Sequence, residues 1–93
     1  MDRIRFLPAD HAASLSPEQC IAALIRLLEQ GETALSLPCP AAEGTVPYRF
    51  LRAIADFLLD HPAIRQIELL CRAEDLPAYR FQWNMWFAER RHD

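Results

Sequence analysis

The 93-residue chain reads as a small α/β domain, a three-layer sandwich whose three-stranded, mainly parallel sheet is built in the order β-α-β-α-β-α. Three observations predict this. Short stretches of apolar residues at a period of two alternate with longer stretches at a period near 3.6. Each changeover carries turn chemistry: a capping serine, a glycine or a proline. Length allows one hydrophobic core and no more, so residues 1–93 form a single domain.

The first strand is "RIRFLP", residues 3–8, in which Ile4 and Phe6 alternate with Arg3 and Arg5, the pattern of a strand with one buried face. After the loop "ADHAASL", Ser16, Pro17 and Gln19 supply an N-cap, a first-turn proline and the third residue of a capping box. A helix over 17–30 follows. Its Cys20, Ile21, Leu24, Ile25, Leu27 and Leu28 recur at spacings of three and four, and Gly31 stands where a left-handed cap ends helices. "TALSLPC" is the second strand, stopped at Pro38, where a backbone donor is lost. Phe50, Leu51, Ile54, Phe57 and Leu58 mark a helix over 47–60, closed by "DHP". "IRQIELLC", 64–71, is the third strand. "AEDLPAYRFQWNMWFAERR" is the last helix, acidic at its start and basic at its end.

Alternating strands and helices imply parallel strands joined by right-handed crossovers. Ligand sites in such sheets lie beyond the carboxyl ends of the strands, here Pro8–His11, Cys39–Val46 and Cys71–Asp75.

Composition narrows the function classes. Apolar residues make up 52% and charged residues 25%, the formal net charge is -3, and there is no lysine. No basic field exists to release counterions from nucleic acid, so a nucleic-acid partner is not expected. No apolar run reaches the roughly 18–20 residues of a membrane span, and "MDRIRFLPAD" lacks the apolar region of a secretory signal. The expected location is cytoplasmic, with no membrane partner. Three cysteines without a CxxC spacing argue for free thiols rather than disulfides or structural zinc. No metal or cofactor is expected.

The order and pattern of "LSPEQCIAALIRLLEQGETALSLPCPAAEGTVPYRFLRAIADFLLDHPAIRQIELLCRAEDLPAYRF" resemble the second half of a macro domain, the module that binds ADP-ribose. In that family a Cys-bearing apolar helix leads to a strand ending in a proline turn. A Ser-Thr-Gly phosphate loop, a helix closed by "HP", a strand, an acidic turn and a last helix with an early aromatic follow. The resemblance implies a truncated macro-like domain spanning about 80 of the 93 residues. The family's adenine-holding Asp, Asn-rich segment and Gly-rich diphosphate loop have no counterpart in it.

Setting Gly44 on the family glycine makes Ala42, Glu43, Gly44 and Thr45, with Arg49 just inside the helix, the candidate ligand-binding residues for an ADP-ribose-like ligand. The loop departs from the family pattern. Ala42 and Glu43 replace Ser and Thr, and the glycine before Pro47 is absent. Phosphate loops need free backbone donors and no negative charge, yet Pro38, Pro40 and Pro47 remove three donors and Glu43 adds the wrong sign. The resemblance also implies a gap between the strands at 3–7 and 34–38. Either these two pair directly, giving the order 1-2-3, or a second chain supplies the missing neighbours.

Other candidates have plainer readings beside them. Cys39 and Cys71 end strands expected to be neighbours and could form a thiol pair, although cysteine also serves as a small buried hydrophobe. His11, beside Asp10, reads as an exposed loop residue, and His61 as a helix-end residue. Glu74 and Asp75 read as helix-start acids. Arg49 and Arg52 read as solvated helix residues that are also placed to meet a phosphate. No catalytic residue is assigned.

In the last helix Tyr79, Trp83, Trp86 and Phe87 share one face, with Phe81, Met85 and Ala88 nearly opposite. One face covers the sheet. The other is either an association surface or is folded beneath the first residues. Phe81, Met85 and the adjacent Trp86 are therefore the interface candidates, in a non-catalytic binding module expected to form a homodimer. The alternative function is residual ADP-ribose or nucleotide-phosphate binding, with possible hydrolysis, at the loop 38–47.

Overall fold

The computed structural model describes residues 3–9 and 15–91, with side chains as far as Met85. Its elements run β1 (Ile4–Pro8), α1 (Pro17–Glu29), β2 (Ala34–Pro38), α2 (Val46–Asp60), β3 (Gln66–Cys71) and α3 (Leu76–Arg91). The architecture is the α/β one read from the sequence: three helices and an open three-stranded sheet, parallel throughout and consistent with a small sandwich.

Strand order is β1-β3-β2, which corrects both sequence expectations about the gap. β1 pairs neither with β2 nor across an empty place; β3 fills it. Proline chemistry gives a physical reason. β1 ends in Pro8 and β2 in Pro38, residues without a ladder donor that are confined to edges and strand ends. β3 contains no proline and can pair on both sides along its length.

The register places Ile4, Ile67 and Leu35 side by side, then Phe6, Leu69 and Leu37. Apart from the half-buried Phe6, these residues are buried in the one core. The row between them is Arg5, Glu68 and Ser36, and none of those three is buried. The sheet thus reads as strands of period two, with the apolar side turned to the core.

Local chemistry holds α1 as the sequence anticipates, whereas α3 begins only at Leu76, residues 73–75 expected inside it, the acidic Glu74 and Asp75 among them, forming the turn before it. Ser16 Oγ accepts from Gln19 N at 3.1 Å while Gln19 Oε1 accepts from Ser16 N at 2.9 Å, completing the capping box of α1. At the other end Gly31 takes φ 82°. There Gly31 N donates to Leu28 O and Glu32 N to Leu27 O, the paired bonds of a Schellman closure. α2 packs against both α1 and α3, while α1 also lies against β2 and α3 against β1.

An unforeseen clamp secures the carboxyl end of α2. The Arg3 guanidinium donates to the carbonyls of Leu58 (3.1 Å), His61 (2.9 Å) and Ile64 (2.8 and 3.1 Å). A helix end presents unpaired carbonyls and partial negative charge, so a cation satisfies it twice over. His61 is the C-cap of α2, as its sequence position suggests. Its ring stacks on Phe57 at 4.2 Å, with Nδ1 2.9 Å from the Phe57 carbonyl.

Candidate functional site

The carboxyl ends of β2 and β3 meet beneath the start of α3, and the loop from Cys39 to Thr45 leaves from this point. Cys39 N donates to Leu70 O at 2.8 Å, which carries the β2–β3 ladder one residue beyond Pro38. Pro40 is buried, and its carbonyl accepts a 2.7 Å bond from the Tyr79 hydroxyl. Tyr79 is fully buried, and its ring meets Phe50 edge-on at 6.2 Å. Burial raises the Tyr79 phenol well above its ordinary range, so it stays a hydrogen-bond donor. The early α3 aromatic thereby anchors the first half of the loop.

The second half turns outward. Ala42 packs against the core, while Glu43, Gly44 and Thr45 are exposed. Val46 N donates to Glu43 O at 2.9 Å, closing a turn in which Gly44 adopts φ 53°. A Cβ on Gly44 would touch nothing within 4 Å. The glycine is needed there for its left-handed backbone, not to make room for a neighbouring group. Thr45 stands at the N-cap of α2 without a side-chain capping bond.

Beside this turn, a groove of about 510 Å³ lies between the first turns of α1 and α2, walled by Pro17, Glu18, Ile21, Val46, Arg49 and Phe50. Of the five ligand residues expected from the sequence, Arg49 alone lines the groove; Ala42, Glu43, Gly44 and Thr45 do not. Arg52 turns to a local partner, donating to the Tyr48 hydroxyl at 3.1 Å.

The cysteines lie deeper. Cys39 and Cys71 place their Sγ atoms 3.2 Å apart, and both are buried. The proximity inferred from their strand-end positions is therefore observed. They titrate as a pair. The Cys71 thiol is the more acidic, chiefly because the Cys39 thiol donates to its thiolate and also because Arg80 favours that charge, against burial and Asp75. Cys39 is raised by the same hydrogen bond and by burial. Cys20 donates instead to Pro38 O at 3.1 Å, and burial pushes its thiol up to about 11. Among the described residues, no group of three His, Cys, Asp or Glu side chains is placed to hold a metal ion.

The helix-start acids divide. Asp75 is buried and accepts from Arg72 Nε at 3.0 Å, while the exposed Glu74 pairs with Arg72 Nη1 at 3.1 Å. Both carboxylates are engaged in an ion-pair arrangement at the start of α3. His11 lies outside the described residues.

On α3, Tyr79 and Trp83 are buried, whereas Phe81 is 65% and Met85 45% exposed. Neither is covered by the described residues of the chain start, 3–9. The side chain of Trp86, the third interface candidate, lies outside those described.

Sequence reasoning missed two contacts of the site, the Tyr79–Pro40 bond and the pairing of Asp75 with Arg72. Nothing in the spacing of Tyr79 and Pro40 marks them as partners, since the bond depends on how α3 crosses the loop. Asp75 had a readable signal, in that Arg72 stands three residues before it in the turn. The chain matches no protein-family model, no curated protein and no solved structure.

Proposed function

We propose that the chain is a non-catalytic interaction module that self-associates through the outer face of α3. The observation that carries this reading is the pair Phe81 and Met85. They stand four residues apart on one helix face and are exposed in the single chain, Phe81 more than Met85. Aromatic residues and methionine on a surface are typical of association patches. The pairing needs of β1 and β2 add to it, because each strand hydrogen-bonds to β3 on one side alone among the described residues. At the loop, Glu43 and the three prolines leave little for a phosphate to bind.

Sedimentation equilibrium is the direct test. The wild-type chain is expected to be dimeric at tens of micromolar, and the double variant Phe81→Glu, Met85→Glu monomeric. A wild-type monomer at high micromolar concentration overturns the proposal.

One observation favours a second reading, in which the macro-like ancestry survives as weak binding of ADP-ribose or a related phosphate. The groove between α1 and α2 opens beside the turn at Gly44 with Arg49 on its wall, a cation close to a helix start. Calorimetric titration with ADP-ribose decides it. Binding that is lost in Arg49→Ala supports the reading, and no heat at millimolar ligand eliminates it.

A further inference from the structure

We propose that Cys39 and Cys71 are a site of reversible disulfide formation, closed by hydrogen peroxide and reopened by a dithiol reductant. The fold brings them together. Cys39 lies one residue past Pro38, whose partner on β3 is Leu70, and its amide donates to the Leu70 carbonyl. The two cysteines are therefore cross-strand neighbours, in phase with the buried Leu37 and Leu69. Adjacent strands lie about 4.8 Å apart, inside the roughly 4.4–6.8 Å range of Cα separations that a disulfide accepts. The sulfurs, now 3.2 Å apart, need to close by little more than about 1 Å to reach bonding distance. Side-chain rotation at two strand ends can supply this. Cys20 is not a competing partner, because its thiol is turned to the Pro38 carbonyl.

The chemistry balances with peroxide as the two-electron oxidant. Cys71, the more acidic thiol of the pair, loses its proton, and its thiolate attacks one peroxide oxygen. An S–O bond forms, the O–O bond breaks, and the departing hydroxide takes up the proton as water. Cys39 then attacks the Cys71 sulfenic sulfur. The S–S bond forms, the S–O bond breaks, and the leaving hydroxide takes the Cys39 proton as a second water. Two thiols and one peroxide give one disulfide and two waters. A dithiol reverses this by two exchange steps and is itself oxidised to its cyclic disulfide.

Access sets the choice of oxidant. Cys39 is 6% exposed and Cys71 1%, so a small neutral molecule enters where glutathione disulfide does not. Peroxide is therefore expected to close the pair faster than glutathione disulfide at equal concentration, since reaction depends on access to the sulfur.

The test treats the folded chain with hydrogen peroxide, removes the excess with catalase, then unfolds it in N-ethylmaleimide for mass analysis. The expected product carries one adduct, at Cys20, instead of three. It also yields a linked peptide containing Cys39 and Cys71, and dithiothreitol restores all three adducts. Cys20→Ser is expected to close the same link, while Cys39→Ser and Cys71→Ser yield no intrachain link. If either of those two variants fails to fold, the peptide map of the wild type and of Cys20→Ser still decides. Retention of three adducts, a link to Cys20, a link between chains, or sulfinic acid without a disulfide each overturns the proposal.

Discussion

α2 and α3 are nearly equal in length, at 15 and 16 residues, and both are rich in large apolar side chains, yet they use them differently. In α2 the residues Phe50, Leu51, Ile54 and Leu58 recur at three and four and are all buried. In α3 the buried pair Tyr79 and Trp83 is interleaved with Phe81 and Met85, two residues out of phase and exposed. The stripe of α2 is thus used by the core it covers, with Tyr48 and Leu59 left exposed at its margins. A helix with apolar residues on opposite sides has more to bury than a single chain offers. The comparison separates residues that make the core from residues that the single chain leaves at its surface.

Emptying the core side of α2 should have the largest effect. Phe50 is 1% exposed and touches the Tyr79 ring, so Phe50→Ala removes a ring and leaves a cavity under both helices. A loss of about 3–5 kcal/mol is expected, measured by urea unfolding of wild type and variant. A loss below about 1 kcal/mol would mean that the two helices do not share one core.

Tyr79→Phe tests how α3 is held, at smaller cost. The ring stays, but the buried Pro40 carbonyl loses the hydroxyl that satisfies it at 2.7 Å. About 1–3 kcal/mol of stability should be lost, the range for a buried group left unpaired. Hydrogen exchange should also show the amides of residues 41–45 more strongly affected than those of α1, because the bond anchors the loop. Uniform acceleration would assign the hydroxyl a global role instead.

The helix boundaries and the buried stripe of α2 were legible because capping, periodicity and proline act locally. Ser16, Gly31 and the alternation in β2 carry their meaning within four residues. Strand order was less so, since the usual preference for sequence neighbours favours placing β1 beside β2. The deciding signal was nonetheless present: Pro8 and Pro38 mark edges, and β3 is free of proline. The Arg3 clamp on α2 was not legible. Its partners at Leu58, His61 and Ile64 are backbone carbonyls more than fifty positions away, and sequence identity says nothing about which carbonyls a helix end leaves open. In the site, the proximity of Cys39 and Cys71 followed from strand ends alone, while the Tyr79 bond to Pro40 required the crossing of α3 over the loop.

Phe81→Ser should have the smallest effect on the single chain and is the sharpest test of the difference between the helices. The side chain is two-thirds exposed, so its removal is expected to change monomer stability by no more than about 0.5 kcal/mol. Association is another matter. An aromatic residue at the centre of an interface commonly contributes 1–2 kcal/mol or more, so the dimer should weaken by about tenfold or beyond. Partner binding stabilises the folded state by mass action. The wild-type urea midpoint should therefore rise between 1 and 100 µM protein (about the range that brackets a micromolar Kd), while that of Phe81→Ser stays nearly flat. Equal midpoints at both concentrations for wild type and variant would show that the outer face of α3 is surplus apolar surface without a partner of its own kind.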